Sequence, residues 1–182
     1  MSRHLMRFAA VAIAFGLALP AVAAPAPAAR VTLEQALATY ERGDLPAAER
    51  QFRQRAELAL GQFHEQGEDG RPDLVQAQSW YLKAAEHGSV DAQVAVATAF
   101  YLGRGAAKNF AQAAQWYREA AKGGDVGAQY LIASMYESGL GVERDLRLAR
   151  YWYDIAARNG DEAAPYKLKA VDDALAADAG TV

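Results

Sequence analysis

The sequence predicts an all-α, right-handed solenoid of helix-turn-helix repeats, and three observations lead there. A Trp-Tyr pair recurs at Trp80-Tyr81, Trp116-Tyr117 and Trp152-Tyr153, a period of 36 residues that contains all three tryptophans of the chain. Each pair is followed by a double alanine, at 84 and 85, 120 and 121, and 156 and 157, and then by a glycine, at Gly88, Gly124 and Gly160. Self-similarity at a fixed period of roughly 20 to 50 residues is the mark of a stacked array rather than of an ordinary globular core. Within one copy, Ala113, Trp116, Tyr117, Ala120 and Ala121 form a single apolar helical stripe.

Taken in order, residues 1–23 read as a removable signal: Arg3 and Arg7 precede an apolar run from Phe8 to Leu19, and Ala21-Val22-Ala23 fits a small-x-small cleavage site. That run of 12 residues is too short to span a bilayer. Export to a periplasm or the extracellular space is the expectation. Removal of the signal takes two arginines and no acid, carrying the formal charge from −3 to −5, which disfavours nucleic acid or an anionic membrane as partner. With no cysteine, the chain can have neither disulfides nor a lipid-modified cysteine, and no membrane insertion is expected after cleavage. Residues 24–31 read as a flexible lead-in.

Thr32 followed by Gln35 is a capping box, opening a first helix that runs to about Arg42. Gly43 suits a left-handed C-terminal position and Asp44 the next N-cap, giving a hairpin over 32–55 with Tyr40, Ala48, Phe52 and Ala56 as expected buried contacts. Between Phe52 and Gly61 the spacing is seven residues shorter than between the matching landmarks of later units. Seven residues are about two helical turns. The second helix is therefore expected to run through Gly61 to Gln66, against the rival reading of a tight break at Gly61. Units at 56–91, 92–127 and 128–163 follow, each helix, loop, helix. Asp73, Asn109 and Asp145 are the N-caps of the second helices, with Gln76 and Gln112 as capping-box partners, and Ser89 caps a helix over Val90–Leu102. A terminal helix over 162–177, capped by Asp161, should present Lys167, Lys169, Asp172 and Asp173 as a polar outer face, ahead of a frayed tail at 178–182.

The third unit carries Ala128, Ile132, Ala133, Tyr136, Gly139, Gly141, Val142, Asp145, Ala149, Trp152, Tyr153, Ala156, Ala157, Gly160 and Ala164 at motif spacing. In this it resembles the Sel-one-like repeat family, over about residues 56 to 164, and the first hairpin resembles a tetratricopeptide-type one. The second unit departs only at Ala106, where valine is usual. The first departs more, with His64 for the aromatic and Asp69-Gly70 for the glycine-valine of the loop. The resemblance implies a non-enzymatic scaffold that binds a protein or peptide in a concave groove. Carried over from tetratricopeptide arrays, where the first helix of each hairpin lines the groove, the implied binding positions are Val94, Thr98, Tyr101, Tyr130, Ser134 and Glu137, with Leu58, Gln62 and Glu65 in the first unit. The competing reading is a binder of a small molecule or peptidoglycan fragment. Hydrolysis of the β-lactamase type, associated with cysteine-rich relatives, has no cysteine pairs to rest on here.

Chemistry is sparse. No nucleophile motif, zinc-helix motif or phosphate loop occurs, and no cofactor is expected. His64, Glu65, Glu68 and Asp69 place four potential metal ligands within six residues, but a histidine replacing a packed aromatic, beside exposed acids at a helix end, accounts for them without a metal. Helical spacing assigns the Trp-Tyr pairs to packing rather than ligand stacking. His87, just before Gly88, reads as decoration of a helix C-terminus.

Overall fold

In the computed structural model, residues 32–67 and 70–179 are described. They form eight α-helices and no strand: α1 (Leu33–Glu41), α2 (Leu45–Gln66), α3 (Leu74–Glu86), α4 (Val90–Leu102), α5 (Phe110–Lys122), α6 (Val126–Ser138), α7 (Leu146–Arg158) and α8 (Ala164–Ala179). Each helix packs on its neighbours in sequence, so the chain is a stack of hairpins. The expected signal, residues 1–23, and the lead-in, 24–31, lie outside the described residues, as do Glu68, Asp69 and the last three residues.

The limits of the helices follow local chemistry that repeats with the period. Thr32 makes the capping box with Gln35. Asp73 and Asn109 cap the backbone N–H groups of Gln76 and Gln112 through their side chains, and Asp145 those of Arg147 and Leu148. Each of these three caps also donates its own backbone N–H to the first-helix carbonyl of His64, Phe100 or Tyr136, at 2.9, 2.9 and 3.0 Å, which ties the loop's end to the helix it left. At the other end Ser89, Asp125 and Asp161 donate back to the carbonyls of Ala84, Ala120 and Ala156, closing Schellman turns around the left-handed Gly88, Gly124 and Gly160.

α2 is continuous through Gly61, as the missing seven residues require, and the reason for a mid-helix glycine is steric. A Cβ there would stand 2.4 Å from the Tyr81 ring. The second glycines of the loops carry a different constraint. A Cβ on Gly105 would meet the backbone oxygen of Leu74 at 2.1 Å, and one on Gly141 the backbone carbon and oxygen of Phe110 at 2.3 Å. Each loop thus lies against the start of the second helix of the preceding hairpin, and only hydrogen fits between the two backbones.

Three expectations need correction. Tyr40 is exposed, Ala56 is exposed and Phe52 is only partly buried, whereas Ala36, Thr39 and Ala48 are buried. The reason is position: α1 ends the described stack, which leaves Tyr40 on its outer side uncovered, and at nine residues it stops short of Ala56 on the 22-residue α2. The last helix spans Ala164–Ala179 rather than 162–177. Pro165 belongs in a first turn, where its missing N–H costs nothing, which sets the start; the alanine-rich sequence then sustains the helix through residues 178 and 179, expected to fray.

The core is a column of small and aromatic side chains. Ala97, Ala113, Ala120, Ala128, Ile132, Ala133, Ala149 and Ala156 have no exposed surface, and the alanines let backbones approach closely. The two members of each aromatic pair divide the work. Tyr81, Tyr117 and Tyr153 are buried; Trp152 is buried, but Trp80 and Trp116 are half-buried. Trp116 packs against both the core of the second and third units and that of the first, bridging them, while Trp80 lies under the Lys83 ammonium, 3.9 Å from its ring centre.

Candidate functional site

The buried tyrosines define how the first helices are held, and thereby which of their residues remain for binding. The hydroxyl of Tyr81 donates to Glu65 Oε2 at 2.6 Å and that of Tyr153 to Glu137 Oε2 at 2.7 Å; in both cases the carboxylate stands 16 residues before the tyrosine. In the middle unit Tyr101 occupies the carboxylate's place, and the Tyr117 hydroxyl pairs instead with Thr98 Oγ1 at 3.0 Å. Glu137 also receives Lys167 Nζ from α8 at 3.1 and 3.2 Å, so one carboxylate joins α6, α7 and the terminal helix. Lys167 is therefore a fastening of the last helix, as is Asp172 through Arg150, while Lys169 and Asp173 pair with each other on the solvent face.

Burial raises the ionisation of all three tyrosines above the ordinary range, and the neighbouring carboxylates Glu65 and Glu137 raise Tyr81 and Tyr153 further; at Tyr117 the bond with Thr98 acts the other way and burial prevails. The fold favours the protonated hydroxyl. Its contribution is complete below the unfolded value of about 10 and is lost as pH rises through and beyond it. We expect thermal midpoints to be flat from neutral pH to about 9 and to fall above about 10. Tyrosinate absorbance should report a minority of the nine tyrosines titrating late, together with unfolding. Nine tyrosines titrating together, with no change in the midpoint, would contradict the assignment.

The nine positions implied for binding fall on α2, α4 and α6. Gln62 and Glu65 are exposed; Leu58, Val94, Thr98, Tyr101, Tyr130, Ser134 and Glu137 are half-buried. Two kinds of residue emerge. Glu65, Thr98 and Glu137 are engaged by tyrosine hydroxyls, so they hold the surface together. Tyr101 and Tyr130 present partly open rings fixed from below, Tyr101 edge-on to Phe110 and Tyr130 edge-on to Tyr153, each with ring centres 5.3 Å apart.

His64 is half-buried with its ring edge-on to Phe63, as a substitute for the packed aromatic. Among the described residues no group of three or more His, Asp or Glu is placed to hold a metal, and no helix is long and apolar enough to cross a membrane. His87 has a more specific place than helix-end decoration. Its Nδ1 lies 2.7 Å from Glu57 Oε2 on α2, and the same 30-residue relation recurs as Asn159 Nδ2 donating to Gln129 Oε1 at 2.9 Å. In the middle unit Gly123 stands at that position; a Cβ there would lie 2.5 Å from Val90, and the Oε1 of Gln93 has no partner among the described residues. Sequence reasoning passed over these couplings, although the recurring spacing of 30, like the carboxylates 16 residues before Tyr81 and Tyr153, was there to be read.

Helical hairpins stacked with a strict period and joined by tyrosine-to-preceding-helix bonds define a protein of the α/α repeat class. The Sel1 repeat model matches three times, at residues 54–89, 90–125 and 126–161, the same period set two residues earlier than the units drawn from the aromatic pairs. The chain belongs to the Sel1 repeat family, whose members generally mediate protein–protein interaction. It is similar in structure to a Sel1 repeat protein from Oxalobacter formigenes, with a TM-score of 0.62 and 26% identity over 75% of this chain, and it spans 59% of that protein's length. It also shares its fold with cysteine rich protein B of Helicobacter pylori, at a TM-score of 0.52 and 21% identity, covering 75% of this chain and 98% of that one. No curated protein matches the chain.

Proposed function

We propose that this protein is an exported, non-enzymatic scaffold that holds a peptide or a segment of a partner protein along the exposed faces of α2, α4 and α6, in the assembly of a cell-envelope complex. The observation that carries the reading is the pair Tyr101 and Tyr130, which are only half-buried on first helices while a neighbouring aromatic, Phe110 or Tyr153, packs edge-on against each ring. A rigid aromatic anchor loses little conformational entropy on binding, which is why tyrosine dominates contact energies at interfaces. Val94 and Ser134, half-buried on the same two helices, add to a mildly apolar surface that also carries Glu65 and Glu137. Such a surface suits a polypeptide. Export rests on the leader-like residues 1–23.

Tyr101→Ala combined with Tyr130→Ala is expected to weaken partner binding by about 2 kcal/mol for each ring, roughly 30-fold apiece. The measurement is affinity capture from the protein's own envelope fraction, followed by titration of the captured partner, with circular dichroism confirming that helicity is kept. Undiminished capture by a fully helical double variant would reject the tyrosine strip as the binding surface.

A further inference from the structure

The junction between the second and third units carries arginine and a tyrosine hydroxyl where the junction before it is apolar. At the period of 36 residues, Arg118 and Tyr136 stand where Leu82 and Phe100 stood, and those two pack on the apolar core of the first unit, so the stack closes there without a charge. Arg118, Tyr136 and Arg144 line one open cleft of about 420 Å³, bounded by the loop residues 142–145 and by Leu148 on α7. Arg118 is half-buried. Arg53, Arg150 and Arg158 each face a carboxylate, but among the described residues Arg118 faces none, and its one polar contact is long, Nη1 to the Tyr136 hydroxyl at 3.5 Å. Arg144 uses only its Nε, donating to the Glu137 carbonyl at 3.2 Å. A partly desolvated guanidinium without a counterion is unfavourable, and the apolar junction before it shows that the fold does not need one.

We propose that this cleft binds a small free carboxylic acid with a short aliphatic body, its carboxylate paired with Arg118 and within the field of Arg144. Charge selects a monoanion. The Asp145 carboxylate accepts the backbone N–H groups of Arg147 and Leu148 at 2.9 and 3.0 Å, so its charge is taken up by the start of α7. Glu143, exposed on the loop, is then the one acid set against two guanidiniums, and the cleft keeps a single positive charge. A carboxylate neutralises it; a phosphate dianion would exceed it and meet Glu143, and a cation would meet both arginines. The planar guanidinium fork also matches two carboxylate oxygens. Val142 and Leu148 supply aliphatic wall for the body of the acid, and the volume falls in the range of roughly 300 to 1,000 Å³ usual for small-molecule sites. None of the nine strip positions lines this cleft, which separates the acid from the polypeptide proposed to lie along α2, α4 and α6.

The test is an NMR titration of the protein with 4-methylpentanoate, 4-methylpentanamide, inorganic phosphate and N-acetylleucine, followed at the arginine Nε–H signals and at the backbone amides of residues 142–148. 4-Methylpentanoate should give saturable shifts at Arg118 and bind roughly tenfold or more tightly than the amide, which shares its body, and than phosphate. Arg118→Leu, a residue that the stack accepts at Leu82, should keep helicity and the thermal midpoint while losing that preference. Arg118→Lys should retain it only in part, as a point charge without the fork. No saturable shift, binding of the amide or of phosphate as tight as that of the acid, or undiminished binding by a folded Arg118→Leu protein would each overturn the site. N-acetylleucine mimics the end of a polypeptide and should bind no more tightly than 4-methylpentanoate; a tenfold advantage for it would assign the carboxylate to a chain end and overturn the free acid. The groove is read separately, since the Tyr101 and Tyr130 double variant should bind 4-methylpentanoate as the unaltered protein does.

Discussion

Tyr153→Ala is expected to lower unfolding free energy by about 3 to 5 kcal/mol, the range for emptying a large buried aromatic site. Tyr153 has no exposed surface, lies edge-on to Tyr130 and donates to Glu137, which in turn holds Lys167 of α8. Removing it opens a cavity between α6 and α7 and takes one bond from the carboxylate that fastens the terminal helix. Because each unit of a stacked array is stabilised by its neighbours, the loss should be local: hydrogen exchange should accelerate across α6, α7 and α8 while α3 and α4 keep their protection. Tyr153→Phe separates the two contributions. It retains the ring and should cost less, about 1.5 to 3 kcal/mol, the worth of one hydrogen bond to a charged group. Urea titrations of both variants read these values, and a Tyr153→Ala protein within about 1 kcal/mol of wild type would show that the ring is not the keystone its burial implies.

The second large effect concerns a glycine. Gly141→Ala should destabilise by about 2 to 4 kcal/mol, because two penalties combine: a left-handed backbone at φ 72°, and a Cβ placed 2.3 Å from the Phe110 backbone, which cannot rotate aside as a side chain could. Gly124→Ala is the control. Its φ of 92° is equally left-handed, but nothing lies within 4 Å of the added atom, so only the first penalty, about 1 to 2 kcal/mol, applies. Equal costs for the two variants, compared by urea denaturation, would mean that loop and preceding helix do not touch as described.

The fold was largely legible because its signals are local and recur. Thr32, Asp44, Ser89, Asn109 and Asp145 marked helix starts by side-chain chemistry that needs no tertiary knowledge, and the spacing around Gly61 disclosed that α2 had to be long. What the pattern could not supply was context. Tyr40 and Ala56 carry the same apolar signal as buried residues of later units, but α1 has no helix beyond it in the described stack to cover Tyr40, and its nine residues stop short of Ala56 on α2. Within the Trp-Tyr pairs both members satisfy the helical stripe, and only packing distinguishes the tyrosine that reaches the preceding helix from the indole left nearer the rim at Trp80 and Trp116. The binding face was legible as a set of positions on α2, α4 and α6. Its division into fastening residues, such as Glu65 and Glu137, and open rings, such as Tyr101 and Tyr130, depends on partners 9 to 30 residues away in sequence.

The central claim is that a polypeptide lies against the first helices of the hairpins. A photoactivatable crosslinking residue in place of the exposed Gln62 on α2 tests it most directly, with the same residue at the exposed Arg147 on α7 as the comparison. The account predicts that irradiation in the envelope joins the Gln62 variant to the polypeptide recovered by affinity capture and leaves the Arg147 variant unjoined. Crosslinking from Arg147 with none from Gln62 would contradict it.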